Sequence, residues 1–261
     1  MSFKRLQVFW SFQAKSFVRI VTLCVVLTPG NLLFWMTYWK RSGMELSGID
    51  VVLASAEPSF SFLILIPLCL ILAERNFISC RPERVINLFS SRGQVFRLLV
   101  GLTVCNCCAL QTIVSLMTIL TGLLMFNGTI TMNWDKLGSH YWYSTGQILK
   151  NPLNPITVIL WQWLSALVIL ILFSLLFSVL SIIGSEHHIS RSFGWVVCLA
   201  LSWCCSFPVT PTLASLQRTI CFSARTIANN SIFPHILVES IFVILECVLL
   251  SRLIKAKDFI E

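Results

Sequence analysis

Charge is what this sequence has least of. Asp, Glu, Lys and Arg together make up 11% of its 261 residues, where a soluble domain carries roughly 25%. Too little polar surface is left to cover a globule that faces water. The phosphate loop G-x-x-x-x-G-K-[ST] is missing, so the chain does not cradle nucleotide in the usual way. HExxH, GxSxG and paired carboxylates beside a histidine base are missing too, which removes the familiar hydrolase signatures. His187-His188 has no cysteine near it to complete a metal set, and Glu186-His187-His188 reads as a solvated turn. No internal repeat, low-complexity tract or water-soluble domain interrupts the chain. No cleavable leader is expected, because the apolar run from Phe17 ends in Trp39-Lys40-Arg41 and not in small residues.

What is present is apolar length. Hydrophobic residues make up 56% of the chain and the mean hydropathy is +0.83. The apolar runs are about 20 residues long, enough to cross a hydrocarbon core of roughly 30 Å. The sequence therefore predicts an all-α integral membrane protein, one transmembrane domain over residues 1–261. Its six spans fall near 17–39, 52–73, 98–125, 156–183, 193–209 and 231–251. Met1–Ser16 is basic and amphipathic, with Phe3, Leu6, Phe9, Trp10 and Phe17 at helical spacing, and reads as a helix lying in the membrane interface. Pro67 is expected to kink the second span and Pro208 to end the fifth. The cluster Trp134, Tyr141, Trp142 and Tyr143 reads as an aromatic belt at the membrane surface.

The net charge of +8 is spread thinly and does not suggest nucleic acid. It separates by side. Thirteen Lys and Arg fall in the N-terminal segment, Glu74–Arg97, Gly184–Ser192 and the C-terminal tail, against six in the alternate connections. The bias predicts both termini in the cytoplasm. Most of the 11 cysteines lie inside apolar runs, where they read as small apolar thiols packed between helices. The odd count leaves at least one without a partner in the chain.

Two places could carry function. Glu74–Arg97 holds five arginines and an apolar stripe of Val85, Leu88 and Phe89 behind Pro82. Glu83–Phe89 could form a short amphipathic helix that docks in a soluble partner. The same residues also suit a basic juxtamembrane helix held by anionic lipid. Glu239 and Glu246 stand seven apart in the sixth span, about 20° apart in azimuth, and intramembrane acids face the bundle interior or water. They suit a polar stripe on a substrate path or a subunit seam, or a pair of helix-packing hydrogen bonds.

In pattern and spacing the whole chain resembles the permease subunits of the type-2 family of ABC transporters, in particular the short bacterial ones. The features that carry this are the basic N-terminus, Ile49-Asp50-Val51-Val52-Leu53 at the second helix, and Ser91-Arg92-Gly93-Gln94-Val95-Phe96-Arg97 at the third. To these are added Asn133-Trp134-Asp135 and Asn151-Pro152-Leu153-Asn154-Pro155 before the fourth. The resemblance implies a cytoplasmic coupling helix between spans two and three. Arg81, Glu83, Arg84, Leu88, Phe89 and Arg92 would contact an ABC ATPase. It implies an exporter of amphipathic peptide (bacteriocin or antimicrobial type) or other hydrophobic cargo in the bacterial plasma membrane. A second permease subunit would complete it, and ATP and Mg would be held by the partner and no cofactor by this chain. The alternatives are a substrate-capture subunit of an ATP-driven vitamin importer, an intramembrane enzyme, and a channel-forming oligomer.

Overall fold

The computed structural model describes residues 3–79, 91–150, 154–186, 192–207, 210–212, 223 and 232–256. Among them every regular element is helical. In chain order these are α1 (Phe3–Arg41), α2 (Gly48–Ser55), α3 (Pro58–Phe60), a π turn (Ser61–Leu65) and α4 (Ile66–Ser79). Then follow α5 (Arg92–Met125), α6 (His140–Thr145), α7 (Pro155–Glu186), α8 (Ser192–Ser206) and α9 (Ile232–Ala256).

Four stretches are long and apolar enough to cross a membrane: Ala14–Arg41, Pro58–Ile78, Arg92–Met125 and Pro155–Gly184. The protein is thus of the multi-pass membrane type. Its surface agrees. Val18, Val26, Phe34, Leu116, Leu124, Leu160, Val196 and Phe242 are all exposed, a distribution that suits lipid and not water. The inward side of α1 repeats every four residues through Ile20, Cys24, Thr28, Leu32 and Met36, all buried, as helical periodicity requires.

The boundaries differ from expectation in three informative places. The amphipathic N-terminus is continuous with the first span in one 39-residue helix, because no glycine or proline interrupts the chain before Pro29. The second span does not run unbroken from residue 52. Helix α2 stops at Ser55 and a new helix starts with Pro58 in its first turn, where a missing N–H costs nothing. The third helix begins at Arg92, earlier than the apolar run, and its 34 residues reach about 51 Å. Ser192–Ser206 is apolar but only 15 residues long, and Ile232–Ala256 carries Glu239 and Glu246 along its 25 residues.

Helix α7 is the central post. It packs against α2, α4, α5, α8 and α9, most extensively against α9. Where α8 crosses it, Gly194 lets the two approach. A β-carbon there would lie 3.0 Å from the Ser181 hydroxyl and 3.3 Å from the Phe177 ring. A π turn, Ser61–Leu65, lies just before Pro67. Pro67 has no N–H to return to Phe62, five residues earlier. The Ser202 hydroxyl of α8 donates to that carbonyl instead.

Candidate functional site

At the end of the bundle where α1 finishes, the chain builds a cap from α2, α6 and residues 126–149. Its centre is Asp50, fully buried. Ser47 precedes α2 and Asp50 occupies its third position, the spacing of a capping box. The carboxylate Oδ2 accepts from the Ser47 N–H at 2.7 Å and from its hydroxyl at 2.8 Å. The other oxygen accepts from the indole N–H of Trp134 at 2.8 Å. Helix α2 is sealed under residues 129–131. Ile49 N donates to the Thr131 carbonyl at 3.1 Å, and a β-carbon on Gly48 would lie 2.7 Å from the Ile130 Cα. On the far side, Asn133 Nδ2 donates to the Glu45 carbonyl at 3.0 Å, Glu45 N donates to Gly138 O, and Leu149 N donates to Trp134 O.

The aromatic belt therefore needs correcting. Trp134 is fully buried and Tyr141 nearly so, with rings stacked at 5.1 Å. An indole whose N–H meets a buried carboxylate belongs in the interior. Tyr143 keeps the character of a surface aromatic, 47% exposed, and half-buried Trp142 packs edge-on against it. His140 lies over Trp39 with ring centres 4.0 Å apart, its Nδ1 3.7 Å from Asp50 Oδ1. Both groups lie beyond the membrane-crossing helix that starts at Pro58. Burial pushes the Asp50 carboxyl up to about 6, against the pull of its three hydrogen bonds. Burial pushes the His140 imidazole down to about 4. At neutral pH the pair is a carboxylate and a neutral ring.

Beneath the cap, polar side chains meet at several separate places in the bundle. At the break between α2 and α3, Asn31 donates to the Ala54 carbonyl at 3.5 Å. Gln162 donates to the Ser55 hydroxyl at 3.2 Å. Glu57 caps the new helix there, its carbonyl accepting from Phe60 N and Ser61 N at 3.0 Å. Further along, Gln111 donates to Ser115 at 3.3 Å. The sulfurs of Cys69 and Cys107 meet beside Ser174, and Asn106 donates to Asn76 at 3.0 Å. Each contact joins groups that would be costly to bury alone. Together they tie α1 to α2, α2 to α7, and both α4 and α5 to α7 and to each other.

Of the residues singled out from sequence, Arg81, Glu83, Arg84, Leu88 and Phe89 lie outside the described residues, as do His187 and His188. Arg92 opens α5 and its guanidinium donates to the Lys255 carbonyl near the end of α9. That bond brings the exit of segment 80–91 to the last described helix. Glu239 is buried, 3% exposed, and Glu246 is half-buried one heptad on, its Oε2 without a hydrogen-bond partner. Both sit on α9, which packs on α7 and α5. Among the described residues no group of three or more His, Cys, Asp or Glu side chains is placed to hold a metal. A surface cleft of about 640 Å³ opens beside the cap, lined by Met36, Lys40, Met44, Glu45 and Phe126 among others.

Sequence reasoning missed the Asp50–Trp134 centre and the break at Glu57. The first had a signal in Ser47-x-x-Asp50 ahead of an apolar run, and the second in Pro58. No protein-family model, curated protein or solved structure matches the chain.

Proposed function

We propose that this chain is the permease subunit of an ATP-driven exporter, in six spans, with Ser192–Ser206 and Ile232–Ala256 supplying the fifth and sixth. The observation that carries this reading is the set of polar pairs inside the bundle. Side chains from five helices hydrogen-bond there while the outer surface is apolar, and the cap closes one end. Polar groups kept inside a membrane bundle pair with one another, and such groups mark cargo paths. The chain lacks a phosphate loop, so energy comes from a separate ABC ATPase that binds ATP and Mg.

On this reading the cap is extracytoplasmic and both termini are cytoplasmic, in a bacterial plasma membrane. The coupling element is the stretch from Arg81 into the first turn of α5, which begins at Arg92. Closure of the ATPases on ATP would move it and, through Arg92 and its bond to Lys255, reorient α5 against α9. A second permease chain, identical or related, completes the path. The cargo class, amphipathic peptide or other hydrophobic molecule, rests on the resemblance alone.

The test is co-purification. Tagged chain expressed with candidate ABC ATPases is expected to retain one of them, and Arg84→Glu with Arg92→Glu to reduce retention at least tenfold. No retention by any ATPase, with unchanged behaviour of the double variant, refutes coupling. The surface cleft favours one rival, the capture subunit of a vitamin importer. Tight binding of a small vitamin by the isolated chain would support that rival, and the exporter reading expects none.

A further inference from the structure

Transport gives no reason for 11 cysteines. Cys105 and Cys108 stand three apart on α5, but Cys105 faces outward. A different pair is held together by the fold. Cys69 on α4 and Cys107 on α5 are both about 1% exposed, and their sulfurs lie 3.4 Å apart. The Ser174 hydroxyl of α7 sits 3.2 Å from Cys69 and 3.7 Å from Cys107. That hydroxyl donates to the Leu170 carbonyl at 2.8 Å, leaving its oxygen open to accept from a thiol. A disulfide needs sulfurs at about 2.05 Å, so closing the bond brings these two about 1.4 Å nearer.

We propose that Cys69 and Cys107 are a reversible oxidation site inside the membrane, with hydrogen peroxide as the oxidant. Burial excludes glutathione and other bulky water-borne reagents. Peroxide is close to water in size and can hydrogen-bond to the Ser174 hydroxyl beside the two sulfurs. Cys69 is the nearer of the two sulfurs to the Ser174 hydroxyl, 3.2 Å against 3.7 Å, and is placed as the attacking sulfur. It attacks one peroxide oxygen, the O–O bond breaks, and the departing hydroxide takes the Cys69 proton to leave as water. Cys69 is then a sulfenic acid. The Cys107 sulfur attacks it, the S–S bond forms, and the sulfenic oxygen leaves as a second water with the Cys107 proton. Two thiols and one peroxide become one disulfide and two waters.

The bridge would tie α4 to α5, the two helices that flank segment 80–91. If that segment couples to an ATPase, oxidation locks it. This consequence rests on the permease reading, while the bridge itself does not.

The experiment uses the full chain in lipid nanodiscs, treated with peroxide, denatured, blocked with N-ethylmaleimide and digested without reductant. Mass spectrometry is expected to find the Cys69 and Cys107 peptides joined and two hydrogens lighter than their sum. The linkage should reverse with dithiothreitol and persist in Cys24→Ser. In Cys107→Ser, dimedone present as the peroxide-treated chain is denatured should label Cys69. Both thiols fully maleimide-labelled after peroxide treatment of the folded wild-type chain would overturn the proposal, as would linkage of either to another cysteine. The wild-type readout does not depend on any variant folding. Because it is made without an ATPase, it can stand or fall apart from the coupling test.

Discussion

The indole N–H of Trp134 donates to the Asp50 carboxylate at 2.8 Å across 84 residues of sequence. This bond pins the segment between α5 and α7 onto the start of α2. Hydrogen bonds to a charged group contribute about 1.5–3 kcal/mol. Trp134→Phe, which keeps the ring but not the donor, should therefore lower the melting temperature by several degrees at pH 7.5. Tyr143→Phe, at the exposed ring, should leave it unchanged. Equal melting of the two variants would show that the cap is held by packing alone.

The neighbouring histidine gives the cap an unusual pH response. Asp50 in the folded chain titrates near 6, above its ordinary range. It thus adds stability at low pH that is lost as pH rises through 6. His140 titrates near 4, below its ordinary range, so its contribution grows as pH rises from 4 to 6.5. The slopes oppose, each on the order of 2–3 kcal/mol over the window. Wild-type stability should be nearly flat between pH 4 and 6. His140→Gln should lose stability as pH rises across that range, and Asp50→Asn should gain it. Chemical denaturation at four or five pH values checks this, and parallel profiles for both variants would contradict it.

Gly48 and Gly30 should respond oppositely to one methyl group. A β-carbon on Gly48 meets backbone at 2.7 Å, whereas one on Gly30 meets nothing within 4 Å. Gly48→Ala should cost about 1–3 kcal/mol through forced backbone movement. Gly30→Ala, inside α1, should be neutral or stabilising by about 0.5–1 kcal/mol. Melting curves in the same detergent decide it.

Sidedness is open to a direct measurement. A fluorescent protein fused after Glu261 should fold and fluoresce, and alkaline phosphatase inserted after Gly138 should be active. The opposite pattern would place the cap inside and the basic segments outside, against the distribution of Lys and Arg.

How much was legible beforehand depended on the range of the interaction. Lipid as solvent, the helical class and the approximate positions of the long apolar helices are local properties, set by composition and by runs of sufficient length. Pro155–Gly184 was readable to within a residue or two for that reason. The break at Ala56–Glu57 was half-written in Pro58, but apolar residues on both sides hid it from a hydropathy reading. Trp134 was misjudged because an aromatic at a helix connection is usually interfacial. Only a carboxylate arriving from α2 makes it a core residue.

What the sequence alone determined is therefore which solvent the chain lives in and which segments become helices, since these follow from side-chain chemistry summed over short windows. The tertiary structure decided which polar groups meet. Asp50 with Trp134, Cys69 with Cys107 and Gln162 with Ser55 depend on the depth and azimuth at which separate helices pack. Those are fixed by the fit of whole surfaces, and no single window of sequence contains them.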